Sequence, residues 1–65
     1  MAIKNRDVEK ALGEAGWTLA RQRGSHRQYR HPENPNVVTV SGKPSHVPTP
    51  GLLADLRRKT GLPLR

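Results

Sequence analysis

The chain has 65 residues, with twelve Lys/Arg against five Asp/Glu, a net charge of +7 and no cysteine. This length suits one domain, residues 1–65, burying only roughly 60% of its unfolded surface, and the lack of cysteine excludes disulfides, a thiolate nucleophile and thiolate metal ligands. No apolar run approaches the roughly 20 residues of a membrane span, and no signal-peptide core opens the chain, so a cytoplasmic protein without membrane contact is expected.

Asn5 is placed to cap a first helix, with Asp7 and Glu9 in the turn where the helix dipole favours negative charge. Val8, Ala11, Leu12 and Ala15 recur at i, i+3, i+4, i+7 and give that helix one apolar face. Gly16 suits the left-handed position that ends a helix, and Trp17 follows to fold back on it. From Trp17 the period changes to two, which predicts a first strand to about Arg23. Gly24-Ser25 is a tight connection to a second strand from His26 to His31. Pro32-Glu33-Asn34-Pro35-Asn36 is dense turn chemistry, and Val37 to Val40 follows as a β-branched third strand.

Ser41 to Pro50 holds three prolines and a glycine and reads as an irregular loop. Thr49 caps a second helix with Pro50 at its first position. Leu52, Leu53 and Leu56 are its expected buried stripe; Gly61 ends it and Pro63 prevents resumption. The order is α-β-β-β-α, an α+β fold of two layers. Two helices cover one face of a three-stranded antiparallel sheet and leave the other face open.

The positive charge is concentrated in two places. Residues 1–20 and 32–46 are each balanced, whereas residues 21–31 carry four arginines without an acid and residues 47–65 add a net +3. Two such clusters suggest a polyanionic partner. The first cluster, "RQRGSHRQYRHP" from Arg21 to Pro32, also contains His26, His31 and Tyr29. Successive side chains on a strand point to opposite faces. If Tyr29 packs on the helices, then Arg27, Tyr29 and His31 face inward, and His26, Gln28 and Arg30 face outward. A bulge at Gly24-Ser25 would reverse this parity. His31 reads as a polar turn residue, and His46 as a loop histidine rather than a second catalytic group.

No metal site is suggested, because His26 and His31 fall on opposite faces and the five carboxylates are scattered. No cofactor loop is present either, as Gly24 and Gly42 stand alone. RNA can nevertheless be cut without either. Its 2′-hydroxyl is a built-in nucleophile beside the phosphorus, needing proton removal and stabilisation of the phosphate charge. Histidine titrates near neutral pH, and arginine offers forked hydrogen bonds to phosphate oxygens. On physics alone, a histidine within a basic strand is more often a binding residue than a catalyst.

A helix ending "AGW", then "RQRGSHRQYRHP", "VTV" and "PTPGLLADLRRKTGL", resembles the HicA toxins of toxin–antitoxin systems over nearly the whole chain. Gly24-Ser25-His26 followed by Tyr29 and His31-Pro32 is the most specific part. The resemblance implies a fold like the double-stranded RNA-binding domain and an mRNA interferase that cuts mRNA without a metal ion. It implies a HicB antitoxin as partner, with DNA contacted only through the antitoxin complex. His26 matches the family's catalytic histidine, and Gly24 and Ser25 match the motif that positions it. The sequence departs from many relatives in the His46-bearing loop and at Leu52, which stands where threonine is common. Candidate RNA contacts are Arg21, Arg23, Arg27, Gln28 and Arg30, extended by Lys43 and by Arg57, Arg58 and Lys59. The alternatives are a non-catalytic RNA-binding module of the same fold and a subunit whose basic face meets only an acidic protein.

Overall fold

The computed structural model describes residues 3–64. It runs α1 (Asn5–Glu14), β1 (Thr18–Arg23), β2 (His26–His31), β3 (Asn34–Ser41) and α2 (Pro50–Thr60). The three strands form one antiparallel sheet in the order β1-β2-β3, so the strand bearing His26 is central. The expected α-β-β-β-α order and open sheet are both present.

The first helix starts differently from the sequence expectation. Lys4 is its N-cap, and the Asp7 carboxylate accepts the Lys4 backbone N–H at 2.9 Å. Asn5 lies inside the helix and is buried. Its side-chain amide donates to the carbonyls of Ser41 (2.7 Å) and Lys43 (3.0 Å), tying the helix to the end of β3. The backbone N–H groups of Asn5 and Arg6 donate to the carbonyls of His46 and Pro44. Loop carbonyls thus satisfy donors that a helix start leaves unpaired, which releases the Asn5 side chain for cross-layer bonding.

At the other end of α1, Trp17 N–H donates to the Leu12 carbonyl and Gly16 N–H to that of Gly13. This is the Schellman arrangement, and Gly16 adopts the positive φ it requires, 95°. The closure carries Trp17 back onto Leu12 in the core. Val8, Leu12, Trp17, Val38, Val40, Leu56 and Leu64 form that core, each no more than 4% exposed.

Helix α2 begins as expected, with the Thr49 hydroxyl accepting Leu52 N–H behind Pro50. Gly61 ends it in the left-handed conformation. The expected leucine stripe needs correction. Leu56 is buried and Leu53 partly so, but Leu52 is exposed in the first turn. Leu64 enters the core from beyond the helix instead, assisted by Leu62.

The connection between β2 and β3 is shorter than expected. Only Pro32 and Glu33 lie outside the strands, and β3 begins at Asn34. Pro35 is accommodated because β3 is an edge strand, where a missing N–H breaks no ladder. The β1–β2 connection contains just Gly24 and Ser25, with Arg23 paired to His26. Gly24 has φ 60°, the conformation a two-residue hairpin turn needs at its first central position. Register irregularities occur elsewhere, between Leu19 and Arg21 and between Tyr29 and His31. The parity expected for β2 is therefore preserved: Arg27, Tyr29 and His31 are half-buried, while His26, Gln28 and Arg30 are exposed.

Candidate active site

Cross-strand partners share a face, so the ladder defines what surrounds His26. His26 pairs with Arg23 on one side and Ser41 on the other. One step along the same face, Gln28 pairs with Arg21 and Thr39. Beyond it, Arg30 pairs with Thr18. A shallow depression of about 270 Å³ lies on this open face, lined by Arg21, Arg23, His26, Gln28 and Thr39. Among the described residues, none of these five side chains makes an intramolecular hydrogen bond or ion pair.

The tight turn fixes where His26 begins. Gly24 supplies the reversal, and the Ser25 carbonyl accepts Gly42 N–H at 3.2 Å, fastening the turn to the end of β3. That bond places Lys43, which is exposed, at the same end of the sheet as His26.

Arg27, expected among the phosphate contacts, is turned away from the depression. It faces the helices, where its Nε pairs with the Glu9 carboxylate. Its two terminal nitrogens donate to the carbonyls of Ser25 (3.3 Å) and Gly42 (2.9 Å). Every part of the guanidinium is thus engaged in joining α1, the β1–β2 turn and the loop after β3. Glu9 also accepts the Tyr29 hydroxyl at 2.8 Å. Burial, reinforced by that hydrogen bond, pushes the Tyr29 hydroxyl up to about 12.

The second basic cluster also stands apart from the depression. Asn34 and Asn36 at the start of β3 donate to the Lys59 carbonyl, placing the end of α2 at the end of the sheet opposite Ser41 and His26. Arg57 donates to the Leu64 carbonyl at 2.8 Å. Arg58 and Lys59 both pair with Asp55, whose carboxyl is held below its ordinary value chiefly by the hydrogen bond from Lys59. Arg57, Arg58 and Lys59 therefore lie apart from the depression around His26 and have partners within the chain.

The other histidines have different surroundings. His31 Nε2 lies 3.0 Å from the Ala15 carbonyl, and Nδ1 accepts Glu33 N–H at 3.0 Å. Its ring sits 5.4 Å from that of Trp17. These contacts assign the Nε2–H tautomer and give His31 a structural place at the end of α1. His46 lies against Gly42 in the loop and does not line the depression.

Sequence reading missed Thr39 and Ser41 as neighbours of the histidine. The alternation of Val38 and Val40 inward with Thr39 and Ser41 outward was the available signal. No local pattern marks Glu9 as the partner of Arg27, because that pairing joins α1 to β2 across eighteen positions.

The HicA family model, described as the HicA toxin of bacterial toxin–antitoxin systems, matches residues 6–62 of this chain. The chain belongs to the HicA toxin family. No curated protein matches it. The family match spans every element that builds the site, from α1 through the β1–β2 turn to the end of α2. The HicA chain is accordingly a toxin of a toxin–antitoxin system, with an antitoxin as its general kind of partner. Among the described residues, no helix is long and apolar enough to cross a membrane.

Proposed function

We propose that this HicA toxin is an endoribonuclease that cuts mRNA by a histidine-dependent, metal-independent reaction, inhibits translation, and is neutralised by a HicB-like antitoxin. The observation that carries the reading is the open-face row Arg23–His26–Ser41 beside Arg21, with no internal partner among the described residues on the histidine or the two arginines. The family to which the chain belongs supports it.

His26 removes the proton from a ribose 2′-hydroxyl. The 2′-oxygen then bonds to the adjacent phosphorus, and the bond from phosphorus to the 5′-oxygen of the next nucleotide breaks. The departing oxygen takes a proton from solvent, to which the depression is open. Arg21 and Arg23 stabilise the charge on the phosphate oxygens, as preorganised donors do in such reactions. Gly24 and Ser25 set the turn that presents His26. The chemistry requires the 2′-hydroxyl, so DNA of the same sequence is not cut.

The test is cleavage of an mRNA fragment in EDTA by the purified chain and its His26→Ala variant. Loss of general acid–base catalysis is expected to slow cleavage by roughly 10²–10⁴-fold while RNA binding persists. Unchanged cleavage by His26→Ala would overturn the assignment of His26. RNA that is bound but left intact by the unaltered chain would favour the non-catalytic binding module. Growth arrest on expression, relieved by a HicB-like protein encoded beside the toxin, tests the cellular part of the reading.

A further inference from the structure

The depression contains two kinds of polar side chain, and they are not mixed at random. The row at the turn end carries the ionisable His26 with Arg23. The next row along the strands carries Gln28 and Thr39, with Arg21 on the edge strand. Same-face rows are two residues apart, roughly 7 Å along a strand.

Gln28 presents two N–H donors and one carbonyl acceptor, and Thr39 presents a hydroxyl that both donates and accepts. A phosphate offers acceptors only, so the Gln28 carbonyl has nothing to receive from it. A base edge displays donors and acceptors side by side, and matches such a pair. Neither side chain has an internal partner among the described residues that would account for it otherwise. Among the described residues no Phe, Tyr or Trp side chain lines the depression, so its ring surface is limited to the His26 imidazole, which the reaction uses. Trp17 is buried in the core, and Tyr29 faces the helices. Gln28 and Thr39 have no ring to stack on, so they recognise a base by hydrogen bonds to its edge.

We propose that Gln28 and Thr39 form a base-reading subsite for single-stranded RNA, selecting the nucleotide next to the phosphate held at His26. It rests on the endoribonuclease reading for the position of the scissile phosphate. The contact to the base stands on the two neutral side chains. Arg21 and Arg23 hold backbone phosphates and select no sequence.

The test uses the full chain carrying His26→Ala, so that RNA stays intact, with a pool of single-stranded ribo-oligonucleotides randomised in sequence. Bound RNA is recovered and sequenced, and the sites cut in the same pool by the chain with native His26 are mapped. One nucleotide position is expected to be enriched in bound RNA and to adjoin the cut. Adding Gln28→Ala should reduce discrimination there by roughly tenfold. Thr39→Val, which keeps shape and β-branching, should weaken the same preference. Arg21→Ala should lower binding of all sequences and retain the preference. The proposal is overturned if no position is enriched, if the enrichment survives both Gln28→Ala and Thr39→Val, or if those variants weaken all sequences equally. A native chain that leaves the pool uncut defeats the endoribonuclease reading alone, because the enrichment in bound RNA still decides the role of Gln28 and Thr39.

Discussion

Arg27 pairs with Glu9 across the interface between the sheet and α1, with only 15% and 18% of the two side chains exposed. It directly follows His26 in sequence yet points to the opposite face. Removing one partner leaves a largely buried charge without compensation. Because the pair retains some solvent access, Arg27→Ala should cost about 2–3 kcal/mol, at the low end of what breaking a buried pair costs. A domain of this size would then melt roughly 10–20 °C lower. Arg23→Ala, on the open face, should change stability by no more than about 0.5 kcal/mol. Thermal unfolding of the two variants side by side checks both. Equal melting temperatures would show that Arg27 is no clamp.

Tyr29 donates to the same carboxylate, and this makes stability depend on pH in the alkaline range. Its folded-state value, pushed up to about 12, lies above the ordinary value of 10.0. Below 10 the phenol is protonated in both folded and unfolded chains, and the contribution is complete. As pH rises from 10 towards 12, the unfolded chain releases the proton first, so stability falls. Tyr29→Phe should remove this part of the alkaline loss and leave a shallower curve. Since Tyr29 is the sole tyrosine, tyrosinate absorbance reports its ionisation directly. A midpoint near 10 in the folded chain would contradict the hydrogen-bonded burial described above.

Much of this arrangement was legible because it depends on local chemistry. Gly16 with Trp17, Thr49 with Pro50, and Gly24-Ser25 each mark a boundary through their own backbone preferences. Strand parity then separated His26 from His31, since Arg23 pairs directly with His26 across Gly24-Ser25 and no bulge there reverses it. What sequence reading misplaced depends on contacts between distant segments. Asn5 has the composition of a cap, but the carbonyls of Pro44 and His46 already take the helix N–H groups. Arg27 has the composition of a phosphate ligand, but Glu9 stands across from it. Leu64 lies beyond the glycine that ends α2, yet it is buried in the core, whereas Leu52 within the helix is exposed. Composition states what a side chain can bind, and the fold determines what reaches it.

His31 is bonded at both ring nitrogens, to the Ala15 carbonyl and to Glu33 N–H. His31→Ala removes both bonds and the ring contact with Trp17. It should cost about 1–3 kcal/mol through the polar groups left unpaired. Gly16→Ala acts on the same junction from the helix side. Its Cβ would lie 3.0 Å from His31 Nε2, in a backbone conformation that L side chains rarely adopt. A cost of about 1–2 kcal/mol from that conformation is expected, with more from the crowding. Urea unfolding measures both variants. A combined variant should lose less than the sum, because removing the imidazole also removes the clash. Full additivity would show that Gly16 is needed for its conformation alone.

Arginines that look equivalent in sequence should differ in how RNA binding depends on salt. Each phosphate neutralised on a single strand contributes roughly 0.7 to the slope of log K against log salt. Arg21 and Arg23 line the depression and have no internal partner among the described residues. Arg21→Ala or Arg23→Ala should each flatten the slope by roughly that amount. Arg58 and Lys59 share Asp55, and Arg57 holds the Leu64 carbonyl, at the far end of the sheet from His26. Their alanine variants should leave the slope unchanged, although Arg57→Ala should also lower stability. Binding titrations in the His26→Ala background at several salt concentrations provide the comparison. A slope reduced equally by Arg58→Ala and Arg23→Ala would mean that the RNA track continues onto α2. The open face around His26 would then be only part of the binding surface.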